Sequence, residues 1–379
     1  MKYRLILLAV IVVMAASLLF GQTRRQHLNP MIDLLEQHKV IAGIVPAPYP
    51  RVPSEGPAAN SARPAGPPEA PATPPAPDAC GVMPAPRGEF PQRGAGPQRG
   101  AGGGGGARGP AAGAPAQAAN MDEAAKMTLR YKSADFLNGS MEGGVDNQIA
   151  GFSEFMKTLG AAGALAKTPY ARLTHPYYVK TPRIATNPTK AIENISNQLN
   201  TGLSGVIFVA VGCAREVQLG LAAMRPKSNG GTRPANYGDA PAYWGLTPQQ
   251  YEQKADVWGL NPNGELVSWV IIESREGLKN VREIAKEKGI GVLIPGSGTL
   301  SGVLRNDPDP EAWEKAQQTV LAACKEFNVN CGFPASTPEV LEMRMKQGFN
   351  VFVLQGWNQQ AFDTIAHARR LGERPAENQ

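Results

Sequence analysis

The chain has 379 residues and a net charge of +6, with 34 prolines, 42 glycines and only four cysteines. Its Lys and Arg residues are scattered, with no basic stripe interleaved with aromatics, which argues against nucleic-acid recognition. No CxxC pair occurs, so the zinc-ribbon and thioredoxin signatures are excluded.

The chain opens with Lys2 and Arg4, then an apolar run from Leu5 to Phe20, then Gly21, Gln22 and the basic pair Arg24-Arg25. A charged start, an apolar core and a small residue at its end read as a secretory signal over residues 1–22. An uncleaved anchor is the alternative, because no Ala-x-Ala site precedes Gln22; the run falls short of the roughly 20 apolar residues of a membrane span. The protein is thus expected to be exported, to the periplasm or outside the cell, with no membrane contact once the signal is removed.

Pro30 opens an amphipathic helix with Met31, Leu34, Leu35 and His38 on one face, and the apolar strand Val40–Val45 follows. Residues 49–120 are then dominated by Pro, Gly, Ala and Arg, with the run Gly102–Gly106 and two Pro-Gln-Arg-Gly units. Such a segment has too few large apolar residues to bury a core and is predicted to be disordered. Because a helix and a buried strand precede it, it reads as an insertion within one domain, made of residues 27–48 and 121–372, with a tail at 373–379.

Seven further apolar runs are strand-like: Ala134–Met141, Arg183–Thr186, Gly205–Val211, Val267–Glu273, Gly291–Pro295, Cys331–Ala335 and Asn350–Gln355. Helical periodicity separates them, as in Ile149, Phe152, Met156, Leu159 and in Trp313, Ala316, Val320, Ala323, Phe327. With Val40–Val45 this predicts an α/β protein with eight parallel strands, a (β/α)8 TIM barrel; an open doubly wound sheet is the alternative. In such a barrel chemistry sits where the strands end, so the insertion leaves from the rim of any active site. Cys324 and Cys331 bracket a short helix-to-strand connection and either pair, in an oxidising compartment, or stay free thiols.

Asn29–Gln37, the stretch VSWVIIESREGLKN at Val267–Asn280 and GIGVLIPGSGTLS at Gly289–Ser301 occur in an order that resembles the HpcH/HpaI aldolase family. Arg183–Val211, Arg225–Asp256 and Phe349–Gly356 extend the similarity over most of the chain outside the signal, insertion and tail. The resemblance implies a barrel of the phosphoenolpyruvate/pyruvate-binding type. It also implies metal-assisted retro-aldol cleavage of a 2-oxo-4-hydroxy acid to pyruvate and an aldehyde, and assembly into a homo-oligomer. A divalent ion, Mg2+ or Mn2+, would act as Lewis acid on the oxo acid, and a His with a nearby Asp would move protons.

Carried over residue by residue, the resemblance makes Glu273 the first metal carboxylate and Arg183 the substrate-binding Arg. Structural ion pairs are the alternatives, for Arg183 with Glu142 or Glu273. Three positions depart from the pattern: Thr299 stands where the family has its second metal carboxylate, Gly143 where it has His after Glu142, and Asn200 where it has Asp. Glu142 is the candidate for the missing metal charge, with Asp146 weaker. His175, in an apparent insertion at Leu165–Tyr178, is the candidate replacement proton carrier; a surface histidine is the plainer reading. Gly296, Ser297, Gly298 and Thr299 form a candidate nest of backbone N–H groups for a substrate carboxylate. Two further readings stay open: a non-catalytic exported barrel that binds a small carboxylate, and a tethered scaffold in which the insertion matters and the pocket does not.

Overall fold

A computed structural model describes residues 26–48, 80 and 118–375. Eight parallel strands form one sheet: β1 (Ile41–Gly43), β2 (Leu137–Ser140), β3 (Tyr177–Thr181), β4 (Gly205–Phe208), β5 (Val267–Ile272), β6 (Ile290–Pro295), β7 (Asn330–Pro334) and β8 (Val351–Val353). β1 pairs with β8, the others pair in chain order, and a parallel bridge from Ile44 to Leu137 joins the two ends into a barrel. Helices lie between successive strands. This is the predicted (β/α)8 architecture, not the open sheet.

Strand alternation decides what fills the barrel. Phe136, Tyr178, Ile207, Trp269, Val292 and Val351 point inward and are buried in one cluster. Trp269 packs edge-on against Phe136 at 5.0 Å and lies 5.2 Å from Tyr178. This aromatic layer makes the centre a packed core, so any open site must lie above it.

The helix Pro30–Leu35 closes the N-terminal end. Asn29 caps it, accepting from the Met31 N–H at 3.2 Å, and Pro30 supplies a preset φ at its first turn. Its buried face is Met31, Ile32 and Leu35, which join the interior cluster, whereas His38, predicted on that face, is exposed. The helix stops before residue 38, whose φ is 48°, so the helical face does not extend that far. Asn29 also donates to Tyr178 Oη and to the Glu265 carbonyl, both at 3.0 Å. Buried Glu265 in turn accepts from the Asn29 N–H and faces His27 Nδ1 at 3.4 Å.

Two expectations need correction. The third strand is Tyr177–Thr181, and Arg183–Thr186 is the turn after it. Pro182 ends the strand, because it offers no N–H to the ladder and restricts the residue before it. The stretch Leu165–Tyr178 is accordingly not all insertion: Leu165–Ala166 and Arg172–Leu173 form a small antiparallel pair, and Tyr177-Tyr178 are barrel strand.

The predicted signal and most of the predicted insertion lie outside the described residues. At the insertion's two ends Ala118 N–H donates to the Pro48 carbonyl at 3.2 Å, so the chain leaves and rejoins the barrel at adjacent points. Within the expected tail, Arg374 pairs with Asp135 at 2.6 and 2.8 Å. No helix among the described residues is long and apolar enough to cross a membrane.

Candidate active site at the C-terminal rim

The inward positions of the strands continue upward into polar residues. On β5, Trp269 and Ile271 are followed two residues later by Glu273; on β3, Tyr178 is followed by Lys180. Hydrophobic packing below therefore delivers a carboxylate and an ammonium to the open end of the barrel.

Glu273 is buried, and it accepts from the Ala210 N–H at 3.1 Å, with the Thr299 side chain close by. Burial pushes its carboxyl above the usual range, and the Glu142 charge adds to this, against the opposing effects of Lys180, Thr299 and Ala210. Glu142 follows β2, and Lys180 Nζ stands 3.6 Å from its Oε2. Glu142, Lys180, Glu273 and Thr299, from the ends of four strands, thus meet at one rim.

Gly296 follows β6, next to Glu273. A Cβ at that position would lie 2.4 Å from Glu273 Cγ, so only glycine lets the carboxylate settle there. The helix Ser297–Leu304 starts immediately after, with no side chain capping its N-terminus. Its first N–H groups and Thr299 face the same end of the barrel, which suits an anion.

Arg183 lies just past the end of β3, half-buried, with Nε 3.7 Å from Glu216 Oε1. Glu216 is fully buried at the start of the helix Ala214–Met224 and accepts from the Ala185 and Gly212 N–H groups at 2.9 and 3.1 Å. The structural ion pair that is the alternative for Arg183 is present, with Glu216 as a partner. Cys213, at the N-cap of the same helix, is disulfide-bonded to Cys80, so the segment between β1 and β2 is fastened to this rim at Cys80. Cys324 and Cys331 are also bonded, which resolves the alternatives left open for that pair.

His175 is elsewhere. It precedes β3 at the N-terminal end, buried, with Nε2 3.1 Å from the Tyr131 carbonyl and Nδ1 3.0 Å from Thr174 Oγ1. It lines a cavity of about 870 Å3 with Arg172, Tyr170 and Lys126 on the face opposite the rim. The whole length of the barrel separates it from Glu273, so it is no proton carrier for the rim. Asn200 is likewise at the N-terminal side, at the C-cap of the helix Pro188–Leu199, where its Oδ1 accepts from Arg233 at 2.9 Å. Asp146 is exposed and pairs with Lys190.

Lys180 and Glu216 carry no motif in the sequence. Alternation from Tyr178 would locate Lys180, but only once the third strand is placed before Pro182 rather than after it.

The chain is thus a closed α/β barrel with a carboxylate–lysine cluster at its C-terminal rim. A family profile described as HpcH/HpaI aldolase/citrate lyase matches residues 160–354, more than half of the chain, and the protein belongs to that family. Among solved structures it is similar to an HpcH/HpaI aldolase/citrate lyase family protein from Burkholderia cenocepacia J2315. The TM-score is 0.50 at 22% identity, over 66% of this chain and 90% of that one. An HpcH/HpaI aldolase from Desulfitobacterium hafniense DCB-2 aligns with a TM-score of 0.47 at 15% identity, over 61% and 82% of the two chains. The citrate lyase beta subunit from M. tuberculosis, solved with oxaloacetate and magnesium, aligns at 0.39 and 14% identity, over 66% and 94%. No curated protein matches.

The residues at the rim do not fit the divalent ion that the resemblance implies. The second carboxylate position is the neutral Thr299, and the other nearby carboxylate, Glu142, faces an ammonium. Hard divalent cations such as Mg2+ select carboxylate and water oxygens, and an adjacent ammonium repels them. Among the described residues the one set of three possible ligands that converges is His27, Asp33 and Glu36, at the opposite end of the barrel.

Proposed function

We propose that the protein is a carbon–carbon lyase acting on a 2-oxo acid at the C-terminal rim, the reaction being retro-aldol cleavage of a 2-oxo-4-hydroxy acid. The observation that carries this reading is the buried Glu273, held by the Ala210 N–H beside the uncapped start of the helix Ser297–Leu304. In this reading the backbone N–H groups of Ser297, Gly298 and Thr299 bind the substrate carboxylate, and Arg183 lies at the mouth to steady the oxo group. A rim carboxylate, Glu273 or Glu142, takes the proton of the 4-hydroxyl. The C3–C4 bond then breaks, its electron pair moves into the enolate of pyruvate, the aldehyde leaves, and C3 regains a proton. Pyruvate release from 2-oxo-4-hydroxy acids, assayed with and without added Mg2+ or Mn2+, tests it. No release under either condition refutes the lyase reading.

The second reading is a barrel that binds a small carboxylate without turning it over. The replacement of the family's His by Gly143, and the placement of His175 at the far end, favour it. Saturable pyruvate binding with no product from any 2-oxo-4-hydroxy acid would decide for it.

We also infer export. All four cysteines are in disulfides, Cys80–Cys213 and Cys324–Cys331, which suits an oxidising compartment. N-terminal sequencing of the protein recovered from cell fractions tests this: a mature chain beginning near Gln22 in a soluble exported fraction supports cleavage. An intact Met1 in the membrane fraction indicates an anchor, and a cytoplasmic protein with four free thiols refutes export.

A further inference from the structure

We propose that Lys180 is the resident cation of the rim, standing in place of a divalent metal ion and donating directly to the oxygens of the oxo acid; this rests on the rim being the oxo-acid site. Three observations converge on it. Lys180 follows Tyr178 on the inward-facing side of β3, so its stem rises through the mouth of the barrel and not outward to solvent. Its Nζ is 3.6 Å from Glu142 Oε2, and its charge acts on Glu273, so it serves carboxylates from two different strands. Thr299 has a neutral hydroxyl where the resemblance expects a carboxylate, so that position supplies no negative charge to hold a metal ion.

The charges balance. Exchanging a doubly charged ion for an ammonium removes one positive charge, and exchanging a carboxylate for Thr299 removes one negative charge. The rim keeps the same net charge toward an incoming anion. An ammonium has three donors and no acceptor, so it can hold Glu142 and still donate to two substrate oxygens. Lys180 is only half-buried, which leaves it within reach of a ligand entering from the mouth.

The test uses the full-length mature protein with two arms. In the first, Mn2+ is titrated at millimolar concentration and followed by electron paramagnetic resonance. The wild type should leave the free-ion signal intact, whereas the double variant Lys180→Ala with Thr299→Asp should quench it. In the second, pyruvate and the planar dianion oxalate are titrated calorimetrically in EDTA. Affinity should match that in Mg2+ buffer, fall about tenfold or more in Lys180→Met, and stay close to wild type in Lys180→Arg, as expected for a charge-assisted hydrogen bond. Circular-dichroism melts establish that each variant is folded. Quenching by the wild type together with ligand binding that EDTA abolishes overturns the proposal and leaves the oxo-acid reading standing. If neither ligand binds in either buffer, the oxo-acid reading falls and Lys180's role as substrate donor falls with it, while the Mn2+ arm still decides whether Lys180 holds the cation's place.

Discussion

Glu273 lies directly against Gly296: a methyl group at 296 would come within 2.4 Å of Glu273 Cγ and 2.9 Å of Oε1. The strand that carries the carboxylate and the loop that starts the anion-facing helix are therefore fitted to each other at a single hydrogen atom. Gly296→Ala must push Glu273 away from the Ala210 N–H. Its expected effect is a loss of activity or pyruvate affinity of roughly tenfold or more, since such sites tolerate little displacement. The fall in melting temperature should be small by comparison, because the aromatic layer beneath is untouched. Kinetics or calorimetry beside a thermal melt checks this; unchanged affinity would remove Glu273 from the site.

Glu216 is the support of Arg183. Removing its carboxylate strands two buried N–H groups, those of Ala185 and Gly212, and takes away an ion-pair partner of the Arg183 guanidinium. Glu216→Ala should cost about 3 kcal/mol, a fall in melting temperature of roughly 6–12 °C. Glu216→Gln keeps an acceptor and should recover part of that stability. Both should raise KM more than they lower kcat, if Arg183 orients the substrate.

His175 provides a control. Its bonds to the Tyr131 carbonyl and Thr174 knit the start of β3 to the segment before β2. His175→Gln should lower the melting temperature by about 2–4 °C, the effect of roughly 1 kcal/mol in a chain this size. Turnover and its pH profile should be those of the wild type. A selective loss of turnover would contradict the placement of His175 at the far end.

The plug at the N-terminal end titrates. Burial disfavours the charge on His27, but the ion pair with Glu265 and the charges of Asp33 and Glu36 outweigh this and hold the imidazole above its ordinary range. Burial acts on Glu265 in the opposite sense, yet His27, the Asn29 N–H and Lys254 bring its carboxyl below the usual value. Stability linked to His27 is therefore complete below about pH 6.5 and is lost as pH rises through the elevated histidine value. Stability linked to Glu265 is present above the usual carboxylate range and is lost as pH falls through its lowered value. Thermal melts across pH should show a maximum between these limits. His27→Gln should flatten the alkaline side, and an unaltered profile would show that the pair does not link folding to pH.

Most of the barrel was legible from the chain. Apolar runs at Gly205, Val267 and Gly291 are long enough, and separated by helical periodicity clear enough, that only the third strand is misplaced. That failure has a local cause: Tyr177–Thr181 carries a lysine and two tyrosines and resembles an amphipathic stretch, whereas Ile184-Ala185 reads as apolar although Pro182 has already ended the strand. The error also conceals the site, since placing the strand after Pro182 removes Lys180 from the rim and lets His175 seem close to it.

The sequence by itself determined the α/β barrel architecture and the place of Glu273 at the end of a strand, because each follows from apolar period along the chain. Only the tertiary structure decided which charges meet. Lys180 pairs with Glu142 and Arg183 with Glu216, and Cys80 bonds to Cys213 across a separation of 133 residues. The reason is geometric: closing eight strands fixes which residues share the rim, and neighbours there are set by inward alternation and strand order, which no local spacing records.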